Sequence, residues 1–459
     1  MLQHKLKKIF LILGDLLVLS AALYVTLSLR FLEFPSAHVW NAHFEPFAWL
    51  FAFWLIVLYV NGLYELWTSQ NDIAFYNKLL RNILINFSLG AAYFYLLTGR
   101  LFNIKPQTVY FIFMGVALVL FSLWRYAYNR LVQRPNFLRN VLVIGMKDEA
   151  WELINEISKK PQLGYRIAAV IHNHNPITKN LPNVNFYDSG VEVKQVLQSE
   201  KITTVVTSLD PRGNPALVKS LFDSLSYKIQ FFDLPTFYEK LTGKIPVTTI
   251  GHIWFLENLA EADKGMYELG KRIFDLSFAV LGLAITMPLI PFVAFLIRMD
   301  SRGSLFFKQV RVGYLGKTFR AIKFRSMISG AESDGQAQWA QKNDPRVTKI
   351  GRFLRNTRLD EIPQLVNIIK GEMSVIGPRP ERPEFVKQLQ EIIPFYNERH
   401  LVKPGLTGWA QINFQYGSSA GDALKKLQYD LFYIKNRSAP LDAGIMLKTI
   451  NIILSGKGQ

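Results

Sequence analysis

Asp360 and Glu361 stand side by side in the stretch Thr357-Arg358-Leu359-Asp360-Glu361-Ile362-Pro363-Gln364-Leu365. Two adjacent carboxylates set between cations and a proline form a donor set suited to attack on a phosphate ester. An ionised aspartate can be the nucleophile, carboxylate oxygens can hold a divalent cation, and basic groups can take phosphate oxygens. Upstream, Arg346, Lys349, Arg352, Arg355 and Arg358 recur every three residues, a spacing that predicts cations along one face of a helix. Downstream, Pro363 suits a first helical turn and Gly371 an end, so a short helix is expected between them. The dyad would then sit at a helix N-terminus, where the macrodipole favours negative charge. An acidic helix cap has the same local pattern, so the dyad takes its meaning from its surroundings.

Three nearby stretches supply phosphate-binding chemistry. Arg311-Val-Gly-Tyr-Leu-Gly-Lys317 reads as a turn between strands, and residues 319–327 as a strand carrying Lys323 and Arg325. In Met373-Ser-Val-Ile-Gly-Pro-Arg-Pro380, two prolines flank Arg379 and stiffen it in an extended segment. An arginine fixed in that way makes forked contacts to phosphate at little ordering cost. Lys403-Pro-Gly-Leu-Thr-Gly-Trp-Ala-Gln411 adds glycines, a cation and an indole. Each stretch alone is an ordinary surface turn; their succession suggests a site for two anionic phosphates.

The elements that must carry this chemistry lie near a membrane. Of 459 residues half are apolar, yet the net charge is +18. That combination favours a membrane protein with cationic cytoplasmic faces over a nucleic-acid binder. Cysteine is absent, which excludes disulfides and thiolate metal sites and leaves a hard, oxygen-held cation as the expected metal. His172 and His174 are the nearest histidine pair and are not expected to bind metal. Residues 9–29, 47–64, 79–97 and 109–128 each approach the ~20 needed to cross a bilayer. They define a four-helix transmembrane anchor over residues 1–135. Lys5, Lys7, Lys8, Lys78, Arg81, Arg125, Arg130, Arg134 and Arg139 flank one side, against Arg30, Arg100 and Lys105 on the other. Both ends of the bundle are therefore expected in the cytoplasm. Asp15, inside the first span, is costly in lipid and should face protein or headgroups.

Residues 140–250 alternate strand-like and helix-like runs, which predicts βαβ units and a Rossmann-like parallel α/β domain. Its first turn, Gly145-Met-Lys-Asp-Glu-Ala150, puts Lys147 and Ala150 where a dinucleotide fingerprint needs glycine. A structural or regulatory role is thus expected over an NAD site. After a linker at 251–270, the apolar run 273–297 contains Pro288 and Pro291 and has cations at both ends. A crossing helix would leave one basic cluster outside, so a proline-broken, re-entrant helix is expected, with Ser277 and Thr286 as partners for the freed backbone groups. The tail, 441–454, is expected on the membrane surface.

From Lys271 onward the chain resembles the bacterial sugar transferase domain of the monotopic polyprenyl-phosphate phosphoglycosyl transferases. The matching elements are Lys-Arg-Ile-Phe-Asp275, Lys323-Phe-Arg-Ser-Met327, residues 357–365, Gly377-Pro-Arg-Pro380 and residues 403–411. With the four spans and the βαβ module, the whole length resembles the large class that initiates O-antigen, capsule or exopolysaccharide assembly. The fold implied is an α/β membrane protein with a C-terminal α/β catalytic domain, 271–459, at the cytoplasmic face of the bacterial inner membrane.

The resemblance implies that Asp360 attacks the β-phosphate of a UDP-sugar, usually glucose or galactose, and releases UMP. Polyprenyl phosphate then takes the sugar phosphate from the aspartyl intermediate. Glu361 is implied to help hold Mg²⁺, with Arg379 and Arg358, then Lys323 and Arg325, at the phosphates. Homodimers are implied for the large class. A membrane-anchored ligand sensor without transferase activity is the rival reading. It explains the charge and the anchor but gives the dyad beside Pro-Arg-Pro no purpose. A multi-span transferase with its acids in loops between spans is disfavoured because the dyad lies far beyond the four-helix bundle.

Overall fold

The computed structural model describes residues 2–65, 68–97, 107–134, 138–172, 184–209, 215–224, 229–259, 264–328, 330, 344–414 and 419–454. His174, Arg100 and Lys105 lie outside them. The chain divides into two compact units, residues 1–237 and 238–459.

In the first unit, α1 (Leu2–Phe31), α2 (Ala37–Val60), α3 (Ile73–Leu97) and α4 (Gln107–Val132) cover the four expected spans. All four are long and apolar enough to cross a membrane. Phe47, Phe51, Phe94, Tyr110 and Phe113 interlock in the bundle core. Asp15 faces protein, accepting hydrogen bonds from Tyr64 Oη at 2.6 Å, Trp124 Nε1 at 3.0 Å and the Arg125 guanidinium. Arg125, expected among the flanking cations, is instead buried inside α4 as the counter-ion of Asp15. A lone acid in hydrocarbon requires such a partner.

The same unit holds β1 (Arg139–Ile144), α5 (Asp148–Lys159), β2 (Tyr165–His172), β3 (Asn185–Asp188), α6 (Val193–Ser199), β4 (Thr204–Thr207), α7 (Pro215–Phe222) and β5 (Gln230–Asp233). The strands form one parallel sheet in the order β3-β2-β1-β4-β5, the doubly wound pattern that alternating strands and helices predict. β3 was not expected. It is a half-exposed edge strand, Asn-Phe-Tyr-Asp, without the apolar alternation that marks buried strands.

The division between units falls inside α8 (Leu234–Thr242), earlier than the expected domain end at 250. Ile245, Val247 and Ile250 are buried in the core of the second unit with Leu365 and Met373. The expected linker, 251–270, contains α9 (His252–Asn258) and the start of α10 (Gly265–Thr286). Trp254 and Phe255 of α9 pack on that core.

A 3₁₀ turn, Met287–Leu289, interrupts the fifth apolar run, and α11 (Ile290–Asp300) follows with Pro291 in its first turn. The break falls where Pro288 removes a helical donor. Thr286 Oγ1 donates to the Gly282 carbonyl at 2.6 Å. Ser277 sits exposed on α10, about 15 Å ahead of the break at ~1.5 Å per residue, so only Thr286 of the two expected hydroxyls stands there.

The rest of the second unit comprises the antiparallel hairpin β6 (Phe306–Val312) and β7 (Thr318–Phe324), then α12 (Lys349–Asn356), α13 (Gln364–Lys370) and β8 (Ser374–Ile376). It ends with α14 (Pro383–Ile392), β9 (Gly405–Thr407), α15 (Trp409–Asn413), α16 (Ala420–Asn436) and α17 (Ala439–Leu454). β8 and β9 pair in parallel. A side chain at Gly405 would place its Cβ 2.1 Å from the Gly377 nitrogen, so the approach of these two segments requires glycine. α17 buries Ile445 in the core, and Thr449 Oγ1 meets Thr407 Oγ1 at 2.7 Å. One face of the expected surface helix is therefore packed on protein.

Candidate active site

Asp360 and Glu361 occupy a 3₁₀ turn, Leu359–Glu361, immediately before α13. Gly371, at φ 83°, ends α13, as the sequence predicts. Arg358 enters the turn in the left-handed region, φ 55°, a conformation that costs a β-carbon-bearing residue about 1 kcal/mol or more. That turn brings the Arg358 side chain back onto Glu361.

The two acids are both nearly inaccessible, 6% and 5% exposed, yet their surroundings differ. Arg379 Nη2 and Lys323 Nζ both donate to Glu361 Oε1, at 2.6 and 2.8 Å, and Arg358 Nη1 approaches Oε2 at 3.4 Å. Burial opposes ionisation of Glu361, but Arg379, Lys323 and Arg358 outweigh it and hold the carboxyl well below its usual range. The Asp360 carboxylate accepts no hydrogen bond from the described residues. Burial, with the Glu361 charge beside it, raises its pKa against the opposing pull of Lys323, Arg355 and Arg379. One acid is thus a fixed anion, and the other is a desolvated, more basic carboxylate suited to nucleophilic attack.

The cations come from three separate elements. Asn367 of α13 donates to the Arg320 carbonyl at 2.8 Å, and its Oδ1 accepts from the Ile322 amide at 3.1 Å. This tie locks β7 against α13 and sets Lys323 opposite Glu361. Arg379 follows β8, whose start is held by Asp275 of α10: the Asp275 Oδ1 accepts from the Val375 amide and Ser374 Oγ at 3.0 and 3.1 Å.

Lys323, Arg358 and Arg379 therefore converge on Glu361 of the dyad. Arg325 does not. β7 ends at Phe324, so strand alternation no longer governs Arg325, and its Nη2 donates to the Ser301 carbonyl at 2.6 Å. Nor do the five cations spaced by three share a helix. α12 carries only Lys349, Arg352 and Arg355, while Arg346 pairs with Asp344 at 2.6 Å before it. Arg355 Nε reaches Ser326 Oγ at 2.8 Å. Asn367 and Asp275 had a legible signal, since each is a polar residue inside an apolar run; neither was assigned a role from sequence.

Two family models match the chain. One, described as bacterial sugar transferase, covers residues 266–456, and one described as CoA-binding domain covers residues 59–221. A UDP-N-acetylgalactosamine-undecaprenyl-phosphate N-acetylgalactosaminephosphotransferase of Aeromonas hydrophila is 42% identical over 230 residues, 50% of this chain and 53% of that protein. An undecaprenyl-phosphate glucose phosphotransferase of Komagataeibacter xylinus is 32% identical over 68% of this chain and 58% of its own length. A UDP-glucose:undecaprenyl-phosphate glucose-1-phosphate transferase of Escherichia coli K12 is 32% identical over 322 residues, 68% of this chain and 67% of that protein. The chain thus spans a little over half the length of the first two relatives. It belongs to the bacterial sugar transferase family, the polyprenyl-phosphate phosphoglycosyl transferases.

Proposed function

We propose that the protein transfers a sugar 1-phosphate from a UDP-sugar to undecaprenyl phosphate and so begins assembly of an O-antigen, capsule or exopolysaccharide. Asp360 attacks the β-phosphorus; the Asp360 oxygen–phosphorus bond forms, the bond to the α-phosphate oxygen breaks, and UMP leaves. A phosphate oxygen of undecaprenyl phosphate then attacks the same phosphorus, giving the lipid diphosphate sugar and freeing Asp360. The observation that carries this reading is the buried Asp360 beside a Glu361 that three cations already surround. The substrates in the names of the relatives support it.

Asp360 and Glu361 are the side chains that would hold Mg²⁺. Among the described residues no cluster of three acidic or histidine side chains forms a closed cage. Mg²⁺ typically binds through one or two carboxylates plus substrate phosphates and keeps several waters, so the pair fits. Bound there, the ion would neutralise the diphosphate and stabilise departing UMP. Lys323, Arg358 and Arg379 sit on Glu361. A diphosphate bound beside them would offer these three cations its oxygens, and Glu361 would then be available to hold the metal.

The helix broken at Pro288 enters and leaves the same, cytoplasmic, membrane face. Two anchors support this. Asp275 of α10 is bonded to β8, and Val293 and Ile297 of α11 pack on Phe324 and Leu354 of the same unit. α11 has 11 residues, about 16 Å at ~1.5 Å each, too short to cross ~30 Å of hydrocarbon. A soluble donor and a lipid acceptor can then reach Asp360 in succession, which predicts ping-pong kinetics.

UMP release measured over a panel of UDP-sugars with undecaprenyl phosphate and Mg²⁺ tests the proposal. Release from at least one donor, lost in Asp360→Asn, is expected; undiminished release by that variant would overturn it.

A further inference from the structure

The segment that presents Arg379 has no regular secondary structure, yet its backbone is tied at every step. The Pro378 carbonyl accepts from the Gly405 amide at 2.9 Å and the Glu381 carbonyl from the Val312 amide at 2.9 Å. Between them, the Pro380 carbonyl accepts from Arg311 Nη1 at 3.1 Å, and the Arg379 carbonyl from Arg399 Nη2 at 3.0 Å. Arg379 lies between two prolines, so neighbouring amides are missing and carbonyls are the main backbone handles left.

Arg399 differs from the other three ties. It is 4% exposed, and its fork is fully engaged: Nε and Nη2 donate to Asp430 Oδ2 at 3.2 and 2.8 Å, and Nη1 donates to Tyr396 Oη at 2.8 Å. Asp430, from α16, is 2% exposed. A buried ion pair is weak evidence for stability in itself, because desolvation offsets the attraction. A guanidinium held rigid by two partners is, however, a well-oriented donor to a third. That third partner is the carbonyl of the residue whose own side chain reaches Glu361.

We infer that the Arg399–Asp430 pair is a positioning device, fixing the Arg379 backbone so that its guanidinium meets the donor diphosphate beside Asp360. The inference rests on the proposed transferase reading. Arg399 and Asp430 touch no reacting atom; they act through Arg379. Lysine at position 399 keeps the charge but lacks the fork and cannot serve Asp430, Tyr396 and the Arg379 carbonyl together.

The test uses full-length protein in detergent or nanodiscs. The double variant R399M/D430L replaces the pair with apolar side chains of similar bulk, an exchange that often preserves folding. It should melt within a few degrees of wild type while kcat/KM for the UDP-sugar falls about 100-fold, the scale of a ~1 Å misplacement. KM for undecaprenyl phosphate should stay unchanged, and R399K should fall in between. Wild-type turnover in the double variant would overturn the inference. So would an equal loss toward donor and acceptor with a lowered melting point, since that marks a merely structural pair.

Absence of UMP release from the wild type would defeat the transferase reading, and with it the diphosphate as the group Arg379 meets, but not the fixing of the Arg379 backbone by the pair. Amide exchange across residues 374–381 then decides: selective acceleration there in R399M/D430L supports the device, and unchanged exchange contradicts it.

Discussion

Arg379 Nη2 lies 2.6 Å from Glu361 Oε1, and Lys323 Nζ reaches the same oxygen at 2.8 Å. The cations proposed to receive a diphosphate are thus held by the acid proposed to receive a metal. With Arg358 included, three positive and two negative charges share the site. Metal and diphosphate should therefore bind cooperatively. Calorimetric titration of Mg²⁺ should show weak binding alone and at least tenfold tighter binding with UDP present, about 1.4 kcal/mol of coupling. Equal affinities would contradict the exchange of partners.

Asp360→Asn should abolish UMP release yet melt higher than wild type. Its folded-state pKa is raised, chiefly by burial. Above that pKa the ionised acid costs stability, and the amide removes the cost; sites shaped for chemistry commonly carry such a penalty. Differential scanning calorimetry near pH 8 checks the sign, and a lower melting temperature would refute it.

The dyad also fixes two pH responses. UMP release in a single turnover should rise with pH as Asp360 ionises, with its midpoint above an ordinary aspartate near 3.9. Glu361, held low by its cations against burial, contributes stability that is present above the usual glutamate pKa and lost as pH falls through its depressed value. His400 adds an earlier loss. Burial and Arg399 depress its pKa to about 4, so stability should decline as pH falls from about 6.5 toward that value. His400→Gln should flatten that part of a melting-temperature profile.

The chain has no cysteine, so single cysteines can map the broken helix directly. Met266→Cys, before the apolar limb of α10, and Arg302→Cys, after α11, should react with a membrane-impermeant maleimide from the same side of inverted vesicles. Labelling from opposite sides would establish a crossing helix.

Removing Arg125 alone should destabilise the bundle by about 3–5 kcal/mol, because Asp15 is left buried without its partner. The D15L/R125L pair should recover most of that loss, as read by thermal aggregation in detergent.

Much of this architecture was legible along the chain. The dyad, Pro363, Gly371, Lys323, Arg379 and the Pro288 break are local signals: Gly371 ends α13, Lys323 lies on β7, and a 3₁₀ turn interrupts the apolar run at Pro288. What was not legible depends on distant partners. Arg399 and Asp430 are 31 residues apart, and nothing local marks them as a pair. Arg125 looked like a flanking cation because its partner is on another helix. Arg325 does not face the dyad because the strand expected over 319–327 ends three residues earlier, at Phe324, and the three-residue cation spacing overstates α12, a helix of only 8 residues.

The role proposed for Asp360 is to carry the sugar phosphate. Purified protein incubated with a competent UDP-sugar and Mg²⁺, without lipid acceptor, should be acid-quenched and examined by peptide mass spectrometry. A sugar-phosphate adduct confined to Asp360, absent in Asp360→Asn and discharged by undecaprenyl phosphate, is the predicted result. Turnover with full activity and no adduct on Asp360 at any time would contradict the account.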